Sequence, residues 1–320
     1  MGHPQIQLIE RGQVSPEAFD LLHRMSQPPL APASARQALF VHATPVVFVL
    51  LWATGFVGAK LGLPYAPPLK FLLLRFAVVI VLMSAVALAM RAPWPRGIKI
   101  VHVCIAGVLL QGGYLGGVFV AISLGMSAGL AALIVSTQPI LTAFVGRLSG
   151  ERLEPRRWAG LVLGLVGVAM VVWNKIGVTG LGLAAVTAGV VALLSITAGT
   201  LYQKKHCGDE DLRTQSVLQF IAAGVVVLPL ALAFETRAIV WSGELIFAIG
   251  WLVIVLSFGA TSLLLLLIRR GAATAVTSLM YLVPPVTALI AYLMFDEKLT
   301  LFAVAGMLVA VAGVALVMRK

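Results

Sequence analysis

Residues 68–90 read PLKFLLLRFAVVIVLMSAVALAM, an apolar run whose charged side chains are Lys70 and Arg75. A helix of about 20 apolar residues is long enough to cross the ~30 Å hydrocarbon core of a bilayer. The run therefore predicts a transmembrane helix. At about 1.5 Å per residue, Arg75 is expected roughly two helical turns inside it.

The rest of the chain repeats this pattern. Of the 320 residues, 60% are apolar and 11% are charged, and the mean hydropathy is +1.03. Soluble domains carry about 25% charged residues, so this composition favours a bilayer over water as the surrounding solvent. The chain is predicted to be an all-α polytopic membrane protein with ten transmembrane helices. The other nine apolar runs lie near residues 45–63, 100–122, 127–146, 158–174, 179–202, 214–234, 245–268, 272–295 and 300–318.

Basic residues set the expected orientation. The net charge is +11, which in a soluble protein would suggest a nucleic-acid partner. Here most of the 23 Lys and Arg residues lie in the two tails or in junctions that follow even-numbered spans, as expected for cytoplasmic loops. Residues 1–42 are thus predicted to be a cytoplasmic tail, both termini to face the cytoplasm of an inner (plasma) membrane, and nucleic acid to be no partner. The exceptions are Lys60, Lys70, Arg75, Lys175, Arg237 and Lys298.

The two halves of the chain resemble each other. The sequence GERL at 150–153 recurs as DEKL at 296–299, and each is followed by two glycines at the same spacing. Five spans in each half place the second half upside down relative to the first, an arrangement found in many secondary transporters. We therefore expect two inverted five-helix repeats, residues 43–174 and 175–320. The matched pairs are Glu151/Glu297, Gly160/Gly306, Gly167/Gly313 and Pro139/Pro285 at an offset of 146, and Gly55/Gly199 and Lys60/Lys204 at an offset of 144.

Several short motifs carry a family resemblance. They are LWATGFV at 51–57 followed by Lys60, PPL at 67–69 with LRF at 74–76, and the two junctions GERL and DEKLT. Together, over residues 45–318, they resemble EamA-type members of the drug/metabolite transporter superfamily. The resemblance implies ten helices in two inverted halves and the export or exchange of amino acids, related metabolites or drugs. The second half departs from the first, with Gln219 at the Arg75 equivalent and no tryptophan at the Trp52 equivalent.

Two basic residues are the strongest site candidates. Lys60 and Arg75 lie inside predicted spans, and no Asp or Glu does. A charge at the bilayer centre costs about 2.5–3.5 kcal/mol, so such residues tend to be functional or paired. Either one would suit a substrate carboxylate or phosphate, although Lys60 could instead snorkel to the interface. The missing intramembrane acid disfavours a proton-exchanging pump for lipophilic cations.

A second set of candidates is polar or aromatic. Each member could touch substrate or simply form an interhelical hydrogen bond. The prolines inside spans could line a cavity or only kink their helices. The substrate-binding candidates are Trp52, Gln111, Tyr114, Gln138, Tyr202, Gln219 and Tyr281, and the prolines are Pro139, Pro284 and Pro285.

These observations predict a secondary transporter that moves a small-molecule substrate, with amino acids or related compounds as the first expectation. The alternatives are broad efflux of amphiphilic toxic compounds and a membrane-embedded enzyme acting on lipid-linked substrates. No HExxH motif and no GxSxG motif in a plausible context is found, so we expect no catalytic residue, metal or cofactor. Cys104 and Cys207 are expected to be free thiols, and a homodimer is possible.

Overall fold

The computed structural model describes residues 35–148, 154–179, 181–260, 263, 280–297 and 300–318. Within these ranges the secondary structure is helical, and no strand is found. By its internal contacts the chain divides into Met1–Ala43 and Thr44–Lys320, and the second unit contains nearly all of the described residues. The candidate side chains that the structure describes therefore all lie in the second unit.

Eleven helices, besides a 3₁₀ turn at Met280–Leu282, follow one another in the described residues. The first six are α1 Ala35–Gly62, α2 Pro68–Ala89, α3 Ile98–Ser123, α4 Ala128–Ser136, α5 Gln138–Leu148 and α6 Pro155–Thr179. The others are α7 Leu183–His206, α8 Leu212–Phe234, α9 Gly243–Ala260, α10 Val283–Phe295 and α11 Leu301–Met318. Helix α1 begins ten residues before the predicted first span, so its first turns fall within the segment predicted to be a tail.

The helical membrane fold is confirmed, whereas the count of ten crossings stays a prediction. Six helices are long and apolar enough to span a bilayer: α2, α3, α7, α8, α9 and the stretch Ala128–Val145 that joins α4 to α5. Four shorter apolar helical stretches are Val46–Gly62, Trp158–Val171, Val283–Phe295 and Leu301–Leu316. Each predicted span overlaps one of these ten stretches.

The outer surface of the bundle is apolar. Leu232 and Leu293 are 71% and 73% exposed, and many other large apolar side chains are exposed along the long helices. The buried centre is aromatic, with Phe71 packed edge-on against Phe119 at 5.2 Å and Phe76 near Phe220 at 5.3 Å between ring centroids. An apolar exterior of this extent is stable only where lipid replaces water.

Two helices widen in their middle. Helix α3 is π-helical over Val108–Leu115, and α9 is π-helical over Trp251–Ala260. Each of these stretches contacts a glycine of another helix. A Cβ on Gly199 of α7 would lie 2.8 Å from the side chain of Leu110, and a Cβ on Gly55 of α1 would lie 2.9 Å from that of Leu256. Since π-helical turns are rare and often occur at functional sites, these stretches draw attention to α3 and α9.

Helices α6 and α11 pack backbone against backbone. A Cβ on Gly167 would lie 2.6 Å from the carbonyl oxygen of Gly306, and one on Gly313 would lie 2.8 Å from that of Gly160. The lower-numbered glycine of one helix faces the higher-numbered glycine of the other, so the two helices run antiparallel. Glycine is needed here because no side chain fits between the backbones, as in other close helix pairs in membranes.

A carboxylate caps the N-terminus of α2. Glu235, directly after α8, accepts hydrogen bonds from the backbone N–H groups of Leu69 at 2.7 Å and Lys70 at 2.9 Å. These N–H groups belong to the first helical turn, which has no partners within the helix. Arg237 donates to the carbonyl of Leu63 at 2.8 Å, which fixes the same turn between α1 and α2.

We expect Glu235→Gln to lower the stability of the protein by about 1–2 kcal/mol, because a neutral amide gives up charge-assisted hydrogen bonds and the favourable interaction with the helix dipole. Thermal unfolding of the purified protein in detergent measures this change. Asp209→Asn is the matched control, since Asp209 is exposed in the turn after α7. Equal shifts in the two variants would contradict the capping role.

Candidate functional site

Arg75 lies deep in the bundle. Its side chain is on α2 and only 4% of the residue is exposed. One guanidinium nitrogen donates a long hydrogen bond of 3.4 Å to the hydroxyl of Ser257, in the π-helical stretch of α9. The Nε–H of Arg75 has no partner in the described part of the chain. Tyr114, from the π-helical stretch of α3, lies within electrostatic range of the guanidinium.

This buried cation lacks a protein counter-ion among the described residues. The ion pairs found there are Lys60–Glu297, Lys99–Glu210 and Arg213–Asp211, all near helix ends. A guanidinium offers five N–H donors in a planar fork that matches a carboxylate or a phosphate. Burying a charge without a partner is costly, so the arrangement favours an anionic ligand group at Arg75.

A tryptophan missing from the sequence prediction lies on the same π-helical stretch as Ser257. Trp251, the first residue of the π-helical stretch, donates from its indole N–H to the hydroxyl of Thr54 on α1 at 2.9 Å. The predicted Trp52 instead contacts Phe48, with 5.5 Å between their ring centroids. Trp251 could have been chosen as a candidate from its position well inside a predicted span, because an indole N–H at that depth needs a hydrogen-bond partner.

Two of the remaining polar candidates, Gln138 and Gln219, are held in interhelical pairs. Gln138 of α5 donates to Thr200 of α7 at 2.7 Å, and Gln219 of α8 donates to Gln203 of α7 at 2.9 Å. Gln111 is half-buried in the π-helical stretch of α3. These contacts match the hydrogen-bonding role that the sequence left open as an alternative. The side chain of Tyr281 lies outside the described part of the chain.

The prolines begin helical segments. Pro139 is the second residue of α5, directly after the break at Thr137. Pro284 and Pro285 lie in the first turn of α10, after a 3₁₀ turn at Met280–Leu282. Proline suits a first turn because its missing N–H has no intrahelical partner there. Pro284 and Thr137 line the same small apolar cavity, so the start of α10 lies beside the break between α4 and α5.

Lys60 lies at one end of the bundle. Its ammonium pairs with Glu297, which follows α10, and it sits 4.8 Å from the centroid of the Phe295 ring. Glu297 also accepts from the backbone N–H of Ala128 at the start of α4, at 3.3 Å. Lys60 borders an open cavity of about 530 Å³, which we call the cleft, where α1, α3 and α8 end and α2 begins.

The opposite end of the bundle is basic and contains histidines. The imidazoles of His102 and His206 stack at 4.6 Å, and the Tyr202 hydroxyl lies 2.8 Å from Nδ1 of His102. Nearby, the pKa of the Asp211 carboxyl is lowered, chiefly by its hydrogen bonds with the Arg213 side chain. Burial raises the pKa of the Cys207 thiol. Tyr202 therefore belongs to a polar cluster at the end of the bundle opposite the cleft.

A bundle of apolar helices that buries a cation about two turns inside one of them, without a counter-ion among the described residues, is typical of membrane transport proteins. The chain matches the EamA-like transporter family over residues 40–173 and 183–319, and it belongs to that family. The resemblance noted in the sequence is thereby confirmed. The protein is a multi-pass membrane transporter.

Curated relatives cover most of the chain. An uncharacterized transporter, YvbV of Bacillus subtilis (strain 168), is 28% identical over 292 residues, which are 85% of this chain and 89% of the relative. A probable amino-acid metabolite efflux pump of Escherichia coli (strain K12) is 25% identical over 269 residues, 80% of this chain and 87% of that protein. One solved crystal structure shares the fold, with a TM-score of 0.58 and 20% identity over 86% of this chain and 94% of that one.

Proposed function

We propose that this transporter exports or exchanges small carboxylated metabolites, with amino acids or their derivatives as the substrate class. The observation that carries the proposal is Arg75, a buried guanidinium whose Nε–H has no partner in the described residues. A substrate carboxylate would accept the free donors in a bidentate geometry and supply the missing negative charge. The E. coli relative described as a probable amino-acid metabolite efflux pump supports the same class.

The proposed mechanism is alternating access between two inverted five-helix repeats, residues 43–174 and 175–320. The contact between α6 and α11 supports this arrangement. Shifting each residue by the 146-position offset of the sequence repeat converts the pair Gly167–Gly306 into Gly313–Gly160, which is also a close contact. A contact that is preserved when the halves are exchanged is the mark of a two-fold interface.

A second contact has the same property. Gly55 meets Leu256, and Gly199 meets Leu110. The glycines are matched at an offset of 144 and the leucines at 146, so the α1–α9 contact is equivalent to the α7–α3 contact. This second equivalent contact also supports two repeats related by a two-fold axis, the arrangement that surrounds a shared site in many transporters.

The proposed orientation places the cleft on the outside and the basic end in the cytoplasm, with both termini cytoplasmic. The basic end carries Lys99, Lys204, Lys205 and Arg213 close to the starts of α3 and α8 and the end of α7. Cytoplasmic loops are enriched in such residues.

Counterflow in proteoliposomes tests the substrate class. Vesicles containing the purified protein are loaded with unlabelled phenylalanine, and uptake of labelled phenylalanine is compared with uptake of labelled phenethylamine, which lacks the carboxylate. We expect exchange of phenylalanine above protein-free vesicles and none of phenethylamine. Equal exchange of both compounds would contradict the role of the carboxylate and favour broad efflux of amphiphiles.

A further inference from the structure

The cleft has the size and lining of a small-molecule site. Its volume of about 530 Å³ lies within the range of about 300–1,000 Å³ that is usual for ligand pockets. One side is apolar, with Leu63, Ile122 and Phe234 among its residues. The charged residues Lys60 and Arg237 lie in the same lining. A cationic group beside an apolar wall suits a carboxylate that carries an apolar body.

The acidic residues around the cleft are already occupied. Both carboxylate oxygens of Glu235 accept backbone N–H groups from the start of α2, so its charge is compensated by that helix end. Glu297 is held by Lys60 and by the N–H of Ala128. Both carboxylates are therefore already engaged by donors before a ligand enters the cleft.

The basic residues keep donors to spare. Arg237 is exposed and uses one guanidinium nitrogen to donate to Leu63, at 2.8 Å. A guanidinium has five N–H donors and an ammonium has three. Lys60 is partly exposed, and its ammonium pairs with a single carboxylate among the described residues. A carboxylate entering the cleft would thus meet two cations with free donors.

The cleft and Arg75 lie along one helix. Pro67 and Pro68, at the start of α2, line the cleft, and Arg75 follows eight positions after Pro67. At about 1.5 Å per residue the separation is roughly 12 Å. The start of α2 at the cleft and Arg75 are therefore about two helical turns apart along the same helix.

We propose that the cleft is a second binding station for the transported carboxylate, where Lys60 and Arg237 bind the carboxylate and the apolar wall holds its body. The class of ligand rests on the proposed function. Lys60 would bind the ligand through the ammonium donors that its pair with Glu297 leaves free.

Equilibrium binding of labelled phenylalanine to the purified full-length protein tests the station. Wild-type protein is expected to bind at two classes of site, and Arg75→Gln to keep only the weaker class. Adding Lys60→Gln or Arg237→Gln to Arg75→Gln should weaken that remaining class by at least about tenfold. The matched control adds Arg96→Gln, an exposed arginine at the opposite end of the bundle, and should leave the remaining class unchanged.

The outcomes separate the two proposals. If Arg75→Gln removes all binding, the station in the cleft is wrong and the role of Arg75 stands. If Arg75→Gln keeps both classes of site, while Lys60→Gln and Arg237→Gln each remove the same one of the two, the station stands and the role of Arg75 is wrong. An absence of any binding to the wild-type protein, or equal effects of Arg237→Gln and Arg96→Gln, overturns the station.

Discussion

Replacing Arg75 by glutamine is expected to lower the exchange of carboxylated substrates at least about 30-fold. Removing one partner of a buried, hydrogen-bonded charge pair costs about 2–5 kcal/mol, and each 1.4 kcal/mol corresponds to about tenfold in affinity. Proteoliposome counterflow, with the protein content of the vesicles matched between variants, measures the effect. A variant that exchanges phenylalanine at the wild-type rate would remove the basis of the proposed function.

Two comparisons separate binding from structure at this position. Arg75→Lys keeps the charge but loses the planar fork, so an intermediate rate is expected. Arg75→Gln is also expected to leave the unfolding temperature unchanged or to raise it, because it removes a buried cation with an unsatisfied N–H. A purely structural arginine would instead show a lower unfolding temperature in both variants.

Replacing Gly313 by alanine is expected to destabilise the bundle by about 1–3 kcal/mol or more, the usual cost of forcing an extra carbon into a packed interior. The added Cβ would lie against the backbone of Gly164 and 2.8 Å from the carbonyl oxygen of Gly160. Because backbone atoms are in the way, no side-chain rotation relieves the contact. Thermal unfolding in detergent and the fraction of monodisperse protein on size exclusion report the loss.

Gly224 provides the control for this substitution. It lies within α8, and a Cβ there meets no atom within 4 Å. Gly224→Ala should therefore be neutral or slightly stabilising, since alanine is the better helix former. If Gly313→Ala and Gly224→Ala behave alike, the close packing of α6 on α11 is not a source of stability.

Much of the fold could be predicted because the bilayer imposes simple rules. Apolar runs predict the helices, and the repeated glycines pointed to positions that do meet in the α6–α11 contact. The π-helical stretches could not be predicted, because they depend on how α3 and α9 pack against α7 and α1. The capping of α2 by Glu235 was equally hidden, since 166 residues separate the acid from Leu69.

The candidate site, too, could be predicted from the sequence only in part. Arg75 stood out because an unpaired charge inside an apolar run has few structural explanations. Its neighbour Ser257 carried no signal, since a hydroxyl within an apolar span usually bonds its own helix, and Ser257 also does so, donating to Leu252 at 3.1 Å. The partner of Lys60 lies 237 residues away, beyond the reach of local patterns.

The wide turns of α3 and α9 have a chemical consequence for recognition. A π-helical turn shifts the regular ladder of backbone hydrogen bonds, and carbonyl oxygens released in this way can accept new donors. Such stretches flank Arg75 through Tyr114 and Ser257. We expect these carbonyl dipoles to solvate the ammonium group of a zwitterion whose opposite pole rests on the guanidinium. Main-chain oxygens would then bind the ammonium group in place of a membrane-embedded acid.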